Sequence, residues 1–464
     1  MDLRPFKLLL VLIAGCARPP APPNIVLVYV DDLGWRDAGF MGSSYYETPN
    51  IDALAEAGIV FTNAYSNAPN CAPSRASLLT GLYTPRHGVY TVGSPARGEA
   101  RLRKLVPASN DTDLDLEIVT IAEVLRDAGY STGHFGKWHL GETGSAPTDH
   151  GFDVNVGGDG VGHPPTYFFP YKRGERELIG LAEGEEGEYL TDRLTDEALG
   201  FMEANRGNPF FLYLSHYAVH TPLQAKPALV EKYAQRPGTD AHNDPTYAAM
   251  IESVDESVGR VVGKLEELGL ASSTVVIFYS DNGGYGPATS MAPLRGSKGM
   301  LYEGGVRVPL TVTWPGHIGG GISDDTPVIG TDVYPTILEI IGVAPDPRIP
   351  LDGVSLYRLL TERRAIEPRP LFWHFPAYLE AYRGMDSPWR TTPAAAVRVG
   401  QYKLIEWYED GRVELYDLSV DLGESHDLSE EMPAIASELL NRLHSWQHDV
   451  AADMPTPVEV TARR

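Results

Sequence analysis

The chain has 464 residues, 43% hydrophobic and 22% charged, with a formal net charge of −24. This is the profile of a globular protein with one large core and a smaller companion, and it excludes disorder as the default. The negative balance excludes a nucleic-acid binder built on a basic face; an anionic small substrate would need a local cluster of Arg, Lys and His to hold it.

At the N-terminus Arg4 and Lys7 precede the apolar run Leu8–Ile13, too short to span a bilayer but the right length for a signal-peptide core. Ile13-Ala14-Gly15-Cys16 then resembles a bacterial lipobox, whose cysteine is lipidated and becomes the mature N-terminus; an ordinary cleaved signal peptide is the alternative. The expected organisation is a lipoprotein signal peptide at 1–15, a Pro-rich tether at 16–23, a large domain at 24–365 and a small α+β domain at 366–464. The expected location is extracytoplasmic, in the periplasm or on the outer membrane of a bacterium. No later run of about 18 apolar residues predicts a spanning helix.

From Asn24 to about Val343 short β-rich apolar runs alternate with amphipathic stretches, which predicts an α/β domain with a large, mainly parallel sheet sandwiched by helices. The clearest strands are Ile25–Val30, Phe210–Ser215, Val275–Ser280 and Leu310–Trp314. The clearest helices are Ile51–Ala57, Ile118–Ala128, Thr191–Ala204 and Tyr247–Leu268, three of them followed by glycine. Beyond about Leu371, the runs Val397–Ile405 and Val413–Tyr416, joined through Asp410-Gly411, predict a smaller antiparallel sheet, followed by a helix over Ile435–His448.

Ligands of open α/β sheets bind beyond the carboxyl ends of the strands. Here those ends supply Asp31-Asp32, a loop reaching His220, and Asp281-Asn282. Adjacent carboxylates repel unless a cation or proton joins them, and four oxygen-donor side chains suit a hard cation, calcium best. Each pair alone reads better as a turn signal than as a metal site. The only cysteines are Cys16 and Cys71. If Cys16 carries lipid, Cys71 stands alone in an oxidising compartment; otherwise it reads as a disulfide partner, a buried thiol or an unmodified nucleophile.

Cys71-Ala-Pro-Ser-Arg75, continuing through Ala-Ser-Leu-Leu-Thr-Gly81, resembles the signature of the formylglycine-dependent (type I) sulfatases of the alkaline phosphatase superfamily. The resemblance extends to Gly136-Lys137-Trp138-His139-Leu140-Gly141, to Tyr217-Ala-Val-His220-Thr-Pro222, to Gly296-Ser297-Lys298-Gly299 with Glu303–Pro309, and to Tyr402-Lys403-Leu404 and Glu414–Leu418. His216, near the second histidine, reads as structural. The resemblance implies that Cys71 is oxidised to formylglycine by a maturation enzyme. It implies that Asp31, Asp32, Asp281, Asn282 and the residue made from Cys71 hold one Ca2+. Arg75, Lys137 and Lys298 would neutralise sulfate oxygens, Asp281 would help activate the nucleophile, His220 and Lys298 would assist the leaving alcohol, and His139 would accept the proton that releases sulfate.

The implied activity is hydrolysis of sulfate monoesters. The loop Asp159–Arg173, with His163, Lys172 and Arg173, and the segment Trp373-His374-Phe375-Pro376 leading to Arg383 are candidate rim contacts that favour a sulfated glycan over an aryl sulfate. Phosphatases and phosphonate monoester hydrolases of the same superfamily are the nearest rivals. Asn282 and Cys71 stand against the two-metal phosphatases, which use His and Ser or Thr at these places, although some phosphatase activity is compatible with the site. A non-catalytic sulfoglycan-binding surface lipoprotein is the rival from another class.

Overall fold

The computed structural model describes residues 22–239 and 241–458. The signal-peptide and lipidation readings, Cys16 included, lie outside these residues, as does most of the tether.

The large sheet has eight strands: β1 (Asn24–Val30), β2 (Ile59–Phe61), β3 (Ser131–Gly136), β4 (Val154–Val156), β5 (Phe210–Ser215), β6 (Thr274–Ser280), β7 (Leu310–Thr313) and β8 (Ile322–Asp324). Their order is β8-β2-β7-β6-β1-β5-β3-β4, with β7 alone antiparallel to its neighbours. Seven helices matter for the argument: α1 (Pro49–Glu56), α2 (Cys71–Thr80), α3 (Ile121–Asp127), α4 (Leu190–Ala204), α5 (Pro245–Glu267), α6 (Val333–Ile341) and α7 (Pro433–Asp449).

The sequence of β1, NIVLVYV, is apolar at nearly every position because both faces of the sheet are covered. Val26, Val28 and Val30 pack with Leu194 and Ala198 of α4 and Val254 and Val258 of α5. Ile25, Leu27 and Tyr29 face the opposite layer, with Ala76 and Leu79 of α2, Leu125 of α3 and Ile337 of α6. Each such aliphatic side chain, once fully buried, contributes about 1.5–3 kcal/mol.

The predicted helices are present with shifted ends. The helix expected from Ile118 starts at Ile121, because Thr120 forms a capping box with Glu123 and thereby fixes the first turn. The helices expected at Ile51 and Tyr247 start earlier, at Pro49 and Pro245, where proline suits the first helical position.

The C-terminal part carries the antiparallel sheet β9 (Leu371–Phe375), β10 (Ala394–Val399), β11 (Tyr402–Trp407) and β12 (Arg412–Asp417), paired in that order and packed against α7. Val397–Ile405, read as one strand, is two: Gly400, at φ 58°, turns the chain between β10 and β11. The segment read as a sugar-facing rim around His374 is the buried strand β9. Trp373 donates to the Ser66 carbonyl, and His374 is fixed between the Tyr408 hydroxyl and the Asp453 carbonyl. His374 is 1% exposed and thus a packing residue. No helix among the described residues is long and apolar enough to cross a membrane.

Candidate active site

Four neighbouring strands deliver the predicted site residues from their carboxyl ends. β6 runs into Asp281-Asn282, β1 into Asp31-Asp32, β5 into the loop to His220, and β3 into Lys137 and His139. Backbone bonds lock these exits together: Asp281 N–H donates to Val30, Asp31 N–H to Ala218, Val219 N–H to Asp31, and Lys137 N–H to Ser215. Asp32 and His139 adopt left-handed conformations, φ 60° and 65°, a cost of about 1–3 kcal/mol each that such surroundings enforce. The Tyr247 hydroxyl holds the Asp32 carbonyl at 2.8 Å, and His139 N–H donates to the Asp159 carbonyl at 2.9 Å.

Cys71 is the first residue of α2, so its side chain sits at the positive end of a helix whose every residue is buried. The helix reaches Arg75 one turn later. The Arg75 guanidinium is fully buried and donates to Asp281 Oδ2 (2.8 and 3.1 Å), to the Lys137 carbonyl (3.0 Å) and to Ser215 Oγ, tying three strand ends to the helix. Lys137 Nζ lies 2.6 Å from Asp31 Oδ2, and Lys298 Nζ lies 2.5 Å from Asp32 Oδ1 and 3.2 Å from Cys71 Sγ. His220 Nε2 is 3.7 Å from Asp32 Oδ2, its other nitrogen facing the Thr221 carbonyl at 2.8 Å.

The electrostatics follow from burial and pairing. Burial, followed by the neighbouring Asp281, pushes the Asp31 carboxyl well above the ordinary range despite Lys137. Burial also raises Asp32, but Lys298 and then His220 outweigh it and hold this carboxyl below its usual value. Burial raises the Cys71 thiol, yet Lys137 and Lys298, with hydrogen bonds to His139 and His220, bring it well below the usual range. Burial holds the His139 imidazole down to about 3, so it is neutral as it stands.

The donor set fits a hard cation. Ligand atoms of Asp31, Asp32, Cys71 and His220 lie within 4.8 Å of one another. Asp31 Oδ1 and Asn282 Oδ1 are buried without a hydrogen-bond partner, which costs about 1–3 kcal/mol per atom unless another ligand satisfies them. Asn282 turns its amide nitrogen to Asp32 Oδ1 at 2.8 Å; rotating the amide half a turn presents oxygen instead. Asp281 lies one step behind, accepting from Asp32 N–H at 3.1 Å and from Arg75.

Above these groups opens a cavity of about 470 Å³ lined by Asp32, Cys71, His139, His163, His220 and Lys298, among others. His163 is thus at the pocket, as expected. Lys172 and Arg173 are not: they form an exposed two-residue strand, with Lys172 paired to Glu177 at 3.2 Å. Arg383 is exposed and also absent from the lining, whereas its neighbour Tyr382 contributes to it. The sequence reading missed Tyr382, Arg97, Tyr285 and Arg390, which come from segments distant in sequence, Arg390 from the short strand Trp389–Thr391, and carry no local motif.

The fold and this site have counterparts among known proteins. The sulfatase family model matches residues 23–343, and a model described as N-sulphoglucosamine sulphohydrolase, C-terminal, matches 297–449. A sulfatase of Formosa agariphila is 35% identical, with 91% of this chain and 88% of that protein covered. The N-acetylgalactosamine-6-sulfatase of Sus scrofa is 34% identical over 91% of this chain and 80% of its own. The crystal structure of Ps i-CgsB in complex with k-i-k-neocarrahexaose superposes with a TM-score of 0.77 at 31% identity, covering 92% and 93% of the two chains. With the family model spanning most of the chain, and these relatives matching along nearly all of it, the protein belongs to the sulfatase family and is a sulfuric ester hydrolase.

Proposed function

We propose that the protein hydrolyses sulfate monoesters on carbohydrate, with one calcium ion and a formylglycine made from Cys71 by a maturation enzyme. The observation that carries this reading is the placement of Cys71 on the pocket floor, at a helix N-terminus and 3.2 Å from Lys298, beside carboxylates with an unpartnered oxygen. A thiol is a poor ligand for calcium, whereas an oxygen in its place completes an oxygen set. The name of the N-acetylgalactosamine-6-sulfatase relative and the k-i-k-neocarrahexaose in the superposed structure support a sulfated glycan as substrate.

Asp31, Asp32 and Asn282, with Asp281 behind them, would hold the calcium, which when bound draws charge from the sulfate oxygens; the hydrated formylglycine supplies the attacking oxygen. The remaining work falls to side chains. Lys298, on the pocket lining and fixed by Asp32, would offer positive charge to the bound sulfate without reorganisation, and the buried Lys137, held by Asp31 outside the lining, would add to the field from beneath. Arg75 does not line the pocket; its guanidinium positions Asp281 and the β3 and β5 ends, and reaches sulfate only through the field it adds. His220 and Lys298, both on the pocket lining, would give a proton to the departing sugar oxygen. His139, on the pocket lining with its Nδ1 buried and unpartnered, would accept the proton whose loss frees sulfate.

Export and a lipid anchor on Cys16 belong to the same proposal, resting on the lipobox-like sequence. Membrane fractionation of the wild type and of Cys16→Ser tests them, since the anchor requires the variant to leave the membrane fraction.

The central test is the mass of the tryptic peptide that ends at Arg75, from protein coexpressed with a formylglycine-generating enzyme. Conversion removes about 18 Da from cysteine, and an aldehyde-trapping reagent captures the product. A trapped aldehyde together with sulfate release from sulfated glycans supports the reading. A persistent thiol in protein that still releases sulfate overturns the formylglycine mechanism.

A further inference from the structure

The chain carries a formal charge of −24, yet the pocket above Cys71 has the opposite character. Its lining contains one carboxylate, Asp32, already matched by Lys298, and two further cations, Arg97 and Arg390. Neither guanidinium has an ion-pair partner among the described residues. Arg97 donates to the Val92 carbonyl, and Arg390 lies over the Tyr382 ring, 4.2 Å from its centroid, with its Nε buried and unpartnered.

Both are held by rigid supports. Asn110 accepts from the N–H groups of Tyr90 and Thr91 and donates to the carbonyls of Thr91 and Gly93. Arg103 donates to the carbonyls of Ala96, Arg97 and Gly98 at 2.6–3.1 Å, so the loop bearing Arg97 is clamped. That loop abuts the segment bearing Arg390: Ala96 pairs with Tyr378, and Trp389 fills the space beside Gly98. The Arg390 side chain also lies so close to Gly299, next to Lys298, that a Cβ there would come 2.9 Å from its Nε, and the Tyr382 hydroxyl donates to the Lys298 carbonyl at 3.2 Å. The two arginines are thereby fixed to the same wall as the lysine that faces Cys71. Unpaired, supported guanidiniums of this kind recognise carboxylate or sulfate by directed, charge-assisted hydrogen bonds.

We propose that Arg97 and Arg390 form a second anion subsite at the pocket mouth, so that the preferred substrate carries another anionic group besides the sulfate ester that is cleaved. This deepens the sulfated-carbohydrate reading above and rests on it. A uronate carboxylate and a second sulfate share the chemistry required.

The test measures kcat/KM of wild type, Arg97→Gln, Arg390→Gln and the double variant on three substrates: galactose 6-sulfate, a galactosamine 6-sulfate disaccharide bearing a uronate, and galactose 2,6-disulfate. The ratio of dianionic to monoanionic kcat/KM is the readout, because a partial loss of folded enzyme cancels from it. The subsite predicts that each single variant lowers this ratio by about 10- to 100-fold, the worth of a charged hydrogen bond. A fall for the uronate sugar alone identifies carboxylate, and a fall for the disulfate alone identifies sulfate. A ratio unchanged in the double variant overturns the proposal. Calorimetric titration of the same sugars into Cys71→Ser protein separates the two levels. If the wild type turns over none of them, the sugar reading fails, while equal affinity for mono- and dianionic sugars overturns the subsite itself.

Discussion

Lys403→Met should be among the most destabilising single changes outside the active site. Lys403, on β11, points out of the small sheet toward the large domain and places its ammonium 2.9 Å from both Glu303 and Glu424, all three side chains fully buried. Glu303 also receives the Tyr65 hydroxyl at 2.7 Å and Arg307 at 3.2 Å. Burial raises its carboxyl, but Lys403, Arg307 and Arg398 outweigh that and bring it to about 2. Glu424 has less help: burial pushes it up to about 7 although Lys403 opposes the rise. Removing the ammonium therefore strands Glu424 more than Glu303. Breaking a buried ion pair from one side costs about 3–5 kcal/mol, and the loss should be larger at pH 8, where Glu424 must ionise, than at pH 6. Urea unfolding followed by tryptophan fluorescence reads it, since Trp373 and Trp407 lie in the small sheet. Adding Glu424→Gln to Lys403→Met should restore most of the stability at pH 8. A loss below about 1 kcal/mol, or no recovery in the double variant, would refute the reasoning that this ion cluster fastens the small sheet to the large domain.

Four further outcomes are expected. Calcium should raise the thermal midpoint, by about 2.7 kcal/mol of stability at a hundredfold excess over its dissociation constant, and Asp31→Asn should abolish the rise in a calorimetric scan with and without chelator. Gly162→Ala puts a Cβ 2.2 Å from His139 Cε1, so kcat should fall, up to about 100-fold for a 1 Å displacement, while the unfolding midpoint changes little. Burial holds His374 near 4, below its unfolded value, so the native state binds fewer protons and stability is lost as pH falls from about 6.5 toward 4. His374→Gln should lessen that slope by about 1.4 kcal/mol per pH unit in urea titrations, and an unchanged slope would show the histidine to be charged when folded. Thr120→Ala removes the capping box of α3 and the bond to the His150 carbonyl; it should lower stability by about 1 kcal/mol, read from the urea midpoint at constant slope.

The core strands were legible because parallel strands buried on both faces leave continuous apolar runs, as in β1, β5 and β6. β3 escaped detection: its sequence STGHFG has one large apolar side chain, and its place in the sheet comes from pairing with β4 and β5. Its exit was nonetheless marked, by the Lys137 and His139 motif. The residues around Cys71 were readable since each sits in a local motif. The mouth was not. Lys172 and Arg173 are charged in sequence but lie on an exposed hairpin, and the aromatic run at His374 satisfies its hydrogen bonds inside a sheet. Arg97 and Arg390 line one pocket from segments that meet where Trp389 packs beside Gly98, a long-range contact without a sequence period.

The Arg75 guanidinium joins α2 to the exits of β6, β3 and β5 at the base of the pocket, while the loops around Arg97 and Tyr382 meet above it. Base and mouth are thus two tiers joined through Lys298, whose carbonyl accepts from the Tyr382 hydroxyl and whose neighbour Gly299 abuts Arg390. A substitution in the upper tier therefore reaches the base along this route, and rebuilding the mouth must keep Lys298 in place.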